Sequence, residues 1–376
     1  MGKPHKPERR FIPDAKSQDV TDESNPLELL PGTWRTPGWK RLCEKEHQQK
    51  NKKRRHATGW NMIALPFDEA QFNYRILMNQ YCEELHFGIV DDNVPNRGLV
   101  GVMDTCVDDD DDKDQFIFTI DYLQKIHQVE VDDFPSSATA DPDLAGVFGT
   151  PIHHEPGLWL YMKNLRTTDK DIIGDAELTV ARLASIPHGN SVLALGTSSK
   201  EKRMPTIGPA SGLPIGRFED LDTVGYDVES FNVDGTLEDP YLEPYKHYID
   251  EPFMGTRDDS GGFPGFHPKD MNAILRWENR NIDIKRTTVL TVDSTRQNAG
   301  ITNIPFVIKQ AEPVSMKSTF WIQELKKKDK KGRPKLRLQY SQVVMLNFFR
   351  PREDGLPGRA QWPHISINTL EKVSDS

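Results

Sequence analysis

Three short segments set histidine beside turn residues and other polar groups: Ile152-His153-His154-Glu155-Pro156-Gly157, Ile186-Pro187-His188-Gly189-Asn190-Ser191 and Trp362-Pro363-His364-Ile365-Ser366-Ile367. Imidazole titrates closest to neutrality of all side chains and is the commonest metal ligand, so each segment is a candidate for proton transfer or iron binding. In an extended chain residues i and i+2 share a face, so His153 and Glu155 point together and His154 points away. This leaves two chemistries open. With one more histidine, His153 and Glu155 make a two-histidine, one-carboxylate iron site. Alternatively, one neutral imidazole ligates haem iron and the other polar groups line the far side of the pocket. The plain alternative is that a histidine next to Pro or Gly only hydrogen-bonds the backbone of its loop.

The elements that must position these residues read as strands. In Lys335–Phe348 the even positions Leu336, Leu338, Tyr340, Val344, Leu346 and Phe348 alternate with polar residues, the period of a half-buried strand, and only Gln342 breaks the apolar set. Further strands are predicted over 72–87, 116–126, 157–162, 176–183, 191–195, 287–292, 318–325 and 364–370, most of them rich in β-branched or aromatic residues. In the last of these, His364, Ser366 and Asn368 share one face and Ile365 and Ile367 the other. A polar row of that kind suits a ligand cavity where it faces a barrel lumen and is ordinary where it faces solvent, and period alone does not choose. Segments 59–67, 303–308 and 320–325 fit strands or strand ends. The prediction is all-β: about ten antiparallel strands in a barrel or a sandwich, with few short helices.

The chain has 376 residues, of which 36% are hydrophobic. With glycine added, that fraction still falls below the usual ~45–50%, so part of the chain is expected to be tail, loop or insertion. Residues 1–26 read as a polar tail and 27–372 as a single barrel domain. From about 200 to 285 the strand pattern lapses into Gly, Pro, Asp and aromatic residues, which reads as a loop-rich insertion over one barrel mouth, with a short helix over 268–277. The basic run Lys50–Arg55 and the acidic run Asp108–Asp112 read as solvated loops.

A net charge of −9 argues against general binding to nucleic acid, and no apolar stretch is long enough for a membrane helix. Cys43, Cys82 and Cys106 are odd in number and lack metal-ligand spacing, so neither a disulfide framework nor a zinc site is expected and a reducing cytoplasm is the expected setting. Glu83 and Glu84 are adjacent in a strand and face opposite ways, so they do not form a facing dyad; one is expected to pair with an arginine such as Arg75 or Arg97. No phosphate-binding loop, dinucleotide fingerprint or nucleophile elbow is present.

The series Gly32-Thr33-Trp34, Tyr81-Cys82-Glu83-Glu84-Leu85-His86-Phe87, His153-His154-Glu155-Pro156-Gly157-Leu158-Trp159, Pro187-His188-Gly189 and Pro363-His364-Ile365-Ser366-Ile367-Asn368-Thr369-Leu370-Glu371-Lys372 resembles, in order, the nitrobindin-like haem-binding group of the calycin superfamily. The resemblance implies a ten-stranded barrel closed by its last strand, with haem b at the mouth. It makes His364 the iron ligand and puts Thr33 and Trp34 among the cofactor-binding residues. The Gly-rich stretch usual after that Trp is replaced here by Arg35-Thr36-Pro37-Gly38-Trp39. The added insertion over a pocket points to a haem-dependent peroxidase or oxygenase-like enzyme acting on a small organic substrate, with His153, Glu155 and His188 as acid–base or gating groups. The alternatives are a non-enzymatic protein that holds haem, nitric oxide or an apolar molecule such as a fatty acid, and a non-haem iron enzyme that uses the His/Glu cluster.

Overall fold

The computed structural model describes residues 25–39, 43, 56–67, 74–96, 115–136, 146–162, 178–214, 242–257, 261–348 and 361–374. Most of the tail 1–26 and the runs Lys50–Arg55 and Asp108–Asp112 lie outside the described residues. Twelve strands are described: β1 (Gly32–Arg35), β2 (Gly59–Pro66), β3 (Tyr74–Asn96), β4 (Gln115–Phe134), β5 (Pro151–Met162), β6 (Val180–Ile186), β7 (Asn190–Lys202), β8 (Ile284–Asp293), β9 (Gly300–Asn303), β10 (Ala311–Lys328), β11 (Pro334–Phe348) and β12 (Gln361–Ser374). Three short helices are α1 (Glu243–Asp250), α2 (Ala273–Asn279) and α3 (Pro305–Gln310).

Neighbours pair antiparallel in the order β2-β3-β4-β5-β6-β7-β8-β10-β11-β12, and β12 returns to β2 through Ile365↔Met62 and Ile367↔Trp60. The result is a closed antiparallel barrel of ten strands, the all-β class the alternation predicts. Closure removes the unpaired edges that an open sheet would expose. Strand β1 wedges between β12 and β3, and β9 adds to β7. The segment 303–308, expected as a strand or strand end, is instead mostly helix α3. Pro305 explains the difference: it cannot donate to a ladder but suits the first turn of a helix.

Two apolar clusters account for most of the packing. The first fills one end of the lumen: Trp34, Leu85, Phe87, Trp159, Phe320 and Leu370 meet there with residues from most of the wall strands. The second lies on the outside of the wall. Trp60 and Met62 from β2, Ile76 and Met78 from β3, Trp321 from β10 and Ile365 and Ile367 from β12 form one surface, and the described part of 200–285 packs on it through Tyr245, Phe253, Phe263, Phe266, Met271 and Leu275. The Trp60 ring lies 5.6 to 5.9 Å from the rings of Phe253, Phe263 and Phe266. Tyr245 also stacks on Trp362 at the start of β12. Polar pins secure the layer: Gln339 donates from Nε2 to the Leu275 carbonyl at 3.1 Å, and Arg337 donates to the Glu278 carbonyl and Asn279.

Cys43 and Cys82 form a disulfide with Cα atoms 6.1 Å apart, which corrects the expectation that the cysteines stay unpaired. The two are 39 positions apart in sequence, and only the fold brings them together. The cysteine count therefore gives no argument for a reducing compartment. Among the described residues no helix is long and apolar enough to cross a membrane.

Phe266 is fully buried within the outer layer. Phe266→Ala is expected to lower stability by about 3–5 kcal/mol, the usual cost of truncating a buried Phe. Chemical denaturation checks it; an unchanged midpoint would mean that the layer is only loosely attached.

Candidate functional site

Strand register carries the polar residues of the lumen into one another's reach. Glu83 pairs with Ile126 and Ile126 with His153; one step along, Leu85 pairs with Gln124 and Gln124 with Glu155. On the opposite wall Gln342 pairs with Ser318 and Ser366, Tyr340 with Asn368, and Val344 with His364. These residues share the inward face of their strands, so polar layers sit above the apolar plug.

The first of these layers is built on a buried ion pair. Arg182 and Glu155 are both almost fully buried, with Nη2 and Oε1 2.7 Å apart. The guanidinium also donates to Tyr122 Oη at 3.0 Å, Ser318 Oγ at 3.3 Å and Gln342 Oε1 at 2.6 Å. Glu155 accepts from the Tyr122 hydroxyl on Oε1, and His153 Nε2 lies 3.0 Å from Oε2. Burial alone would raise the Glu155 pKa, but the Arg182 charge, helped by hydrogen bonds from His153 and Tyr122, outweighs it and holds the carboxyl at about 2. Glu155 is therefore a carboxylate at neutral pH, not an acid. With Oε2 accepting from His153 Nε2–H, the Nδ1 of His153 is left as the basic nitrogen.

The second polar layer centres on Glu83, which is fully buried. Its Oε2 accepts from Tyr340 Oη at 2.6 Å and Asn368 Nδ2 at 2.7 Å, and its Oε1 from Gln124 Nε2 at 2.7 Å. Burial raises its pKa, and these three donors with the nearby His153 only partly offset that. Glu84, on the other face, pairs with Arg35 at 2.5 Å, and Arg75 pairs with Asp133.

Three histidines gather toward the other end of the lumen. His188 sits in a Pro-His-Gly turn closed by the Gly189 N–H to the Ile186 carbonyl at 3.0 Å. Gly189 has φ +101°, and a Cβ there would come within 2.5 Å of the Ile304 side chain, so glycine is what lets α3 close against the turn. The His153 and His188 rings lie 5.9 Å apart. His364 is close enough to both for their charges to act on it: burial, then His153 and His188, push its pKa down to about 4 against a backbone hydrogen bond with Met62 that favours the charged form. Burial also lowers the His188 pKa, with His153 adding to the shift. His364 and His188 are thus neutral imidazoles at pH 7. The Nδ1 of His364 is buried with no hydrogen-bond partner.

His153, Glu155 and His364 therefore come together at one end of the lumen, with His188 beside them on an exposed turn, as their separate strands and turn do not reveal in isolation. Thr33 and Trp34 do not join them. Trp34 is buried in the apolar plug and donates from Nε1 to the Leu30 carbonyl at 2.7 Å, while Thr33 faces the other way and meets His86 Nδ1 at 3.0 Å. Among the described residues no group of three His, Cys, Asp or Glu side chains is placed to hold a metal ion by itself.

No family model and no curated protein matches the chain. Among solved structures, the chain is similar to the crystal structure of Rv2717c from M. tuberculosis, at 12% sequence identity and a TM-score of 0.29, over 85% of this chain and 92% of that one. At that identity and score the likeness is silent about chemistry.

Arg182 and Tyr122 were not among the sequence candidates. Arg182 does leave a trace, since it shares the parity of the buried Val180 and Ala184 and so must point inward with them. Gln342 leaves another: the one polar residue in an apolar row is one of the acceptors for Arg182.

Two outcomes are expected. Arg182→Met strands a buried carboxylate and should cost about 3–5 kcal/mol, of which Arg182→Met with Glu155→Gln recovers part, as measured by denaturation of both variants. The folded pKa of His364 near 4 lies below its ordinary value of 6.5. Between those values the unfolded chain binds the extra proton, so this contribution to stability falls as pH drops from about 6.5 to 4 and is constant below. His364→Asn should flatten that slope, and a His364 ring resonance that titrates near 6.5 in NMR would contradict the assignment.

Proposed function

We propose that the barrel binds haem through His364 and acts as a haem-dependent oxidoreductase, peroxidase- or oxygenase-like, on a small organic substrate. The observation that carries the reading is His364 itself: a neutral imidazole with a buried Nδ1, one backbone contact with Met62, and two other histidines beside it. A metal ligand must be unprotonated, and His364 stays so down to about pH 4. The donor set suits haem, whose ring supplies four ligands and needs one imidazole from the protein, better than a bare iron ion that needs three protein ligands. The resemblance of the closing segment Pro363–Lys372 to the nitrobindin-like group points the same way.

Bound haem would supply the iron-centred oxidation chemistry. The chain's own part is proton handling. His153 takes a proton at Nδ1 while Glu155 fixes its tautomer through Nε2, and Arg182 keeps Glu155 ionised so that the pair stays oriented. Glu155 is on this reading a positioning residue, and His153, with the neutral His188 5.9 Å away, carries the proton.

Protein produced with a haem supply should show a Soret band that His364→Ala abolishes and that His154→Ala, on the opposite face of β5, leaves intact. An equal band in His364→Ala overturns the assignment. The oxidoreductase part is tested separately: haem-loaded protein should react with peroxide in the presence of reducing substrates faster than free haem, by a margin that His153→Gln reduces by about 10²-fold or more, the usual weight of a general base. A rate no better than that of free haem would leave a carrier rather than an enzyme.

A further inference from the structure

Two tyrosine–carboxylate pairs stand inside the barrel, and their surroundings are opposite. Tyr122 donates to Glu155, but the Arg182 guanidinium lies over the Tyr122 ring at 5.2 Å and bonds the same carboxylate. A fixed cation there disfavours removal of an electron from the ring and makes the carboxylate a weak proton acceptor. Tyr340 donates to Glu83 at 2.6 Å, and the other hydrogen-bond partners of Glu83 are the neutral amides of Asn368 and Gln124. Three donors on two oxygens is the arrangement of a carboxylate, and burial gives that carboxylate a raised proton affinity. The Tyr81 hydroxyl lies 2.8 Å from the Tyr340 hydroxyl and 3.1 Å from the Ile367 carbonyl, so its proton can turn to either oxygen.

We propose that Tyr340 is a redox-active tyrosine, with Glu83 as its proton acceptor and Tyr81 as the hydrogen-bond donor that steadies the radical. In the step Tyr340 loses one electron and its O–H bond breaks. The proton forms a new O–H bond on Glu83 Oε2, which leaves a neutral phenoxyl on Tyr340 and a carboxylic acid at Glu83. Tyr81 then donates to the phenoxyl oxygen. The electron passes to a one-electron oxidant, in the working protein the peroxide-treated haem; that clause rests on the haem reading above, whereas the tyrosine site does not. Tyr340 pairs with Asn368, four residues along β12 from His364, which at the rise of a strand is about 13 Å. The function this gives the barrel is to store an oxidising equivalent inside the wall, away from the mouth.

The test uses the full chain without haem, oxidised by a flash with tris(bipyridine)ruthenium and persulfate as the terminal electron acceptor, then frozen for electron paramagnetic resonance. A tyrosyl signal is expected that Tyr340→Phe removes and Tyr122→Phe leaves. Glu83→Gln should lower its yield, since the proton has nowhere to go. Tyr81→Phe keeps Tyr340 and Glu83 in place and should retain the radical with a shifted g-value, because the nearest donor to the phenoxyl oxygen is gone and only Gln124 Nε2 at 3.4 Å remains; this variant decides the matter if Tyr340→Phe fails to fold. An undiminished signal in Tyr340→Phe, a loss in Tyr122→Phe instead, or an unshifted g-value in Tyr81→Phe overturns the proposal. Repeating the measurement on haem-loaded protein with peroxide separates the two readings: absence of a Soret band defeats the haem reading and leaves the flash result standing.

Discussion

The interior of this barrel depends on one desolvated ion pair. Taking a guanidinium and a carboxylate out of water costs several kcal/mol per ion unless every remaining donor and lone pair is met. Arg182, on β6, is held by partners from four other strands: Tyr122 on β4, Glu155 on β5, Ser318 on β10 and Gln342 on β11. Because those strands lie on opposite walls, the pair acts as a strut across the lumen. The same pair sets the ionisation of Glu155 and, through it, the orientation of His153. Electrostatics that stabilise the wall and electrostatics that prepare the histidine are here one arrangement.

Much of the wall was legible in the sequence, because a half-buried strand needs an alternation that composition cannot hide. The alternation also placed His153 with Glu155 and His364 with Ser366 and Asn368 on common faces, and the register bears out both groupings. The ring closure, by contrast, depends on β2 meeting β12 across some 300 residues, and the Cys43–Cys82 link on β3 meeting a loop, neither of which has a local signature. Arg182 has only a weak local signal: one cation in a strand usually points to water, and its parity with buried Val180 and Ala184 is the contrary sign. For Glu83 the relation to its neighbour Glu84 is uninformative, because what sets its role is what it meets across the lumen: Tyr340, Asn368 and Gln124.

The insertion shows a second limit of local reading. Its aromatic residues argue for packing, and the expected place is one barrel mouth, whereas the described part packs on the outer face of the wall. The reason lies in the outward positions of β2, β3, β10 and β12, where Trp60, Met62, Ile76, Met78, Trp321, Ile365 and Ile367 would form an apolar surface too large to leave to water. A strand whose two faces are both apolar must be covered twice, once by the lumen and once by a layer outside. The described part of 200–285 supplies the outer cover, and the polar pins from Arg337 and Gln339 fix its register on the wall.

Glu155 and Glu83 divide the lumen chemically although both are buried carboxylates bonded to a tyrosine. The difference is a single cation. Where Arg182 is present, the negative charge is held permanently, the neighbouring tyrosine keeps its proton, and the site can orient a histidine but cannot take up protons itself. Where amides replace the cation, the charge is tolerated but not fixed, so the carboxyl remains able to accept a proton from within the protein. The low apolar fraction of the chain is thus explained only partly by tail and loops; some of the missing apolar residues are polar groups inside the barrel, placed where an ordinary plug would be Leu or Val.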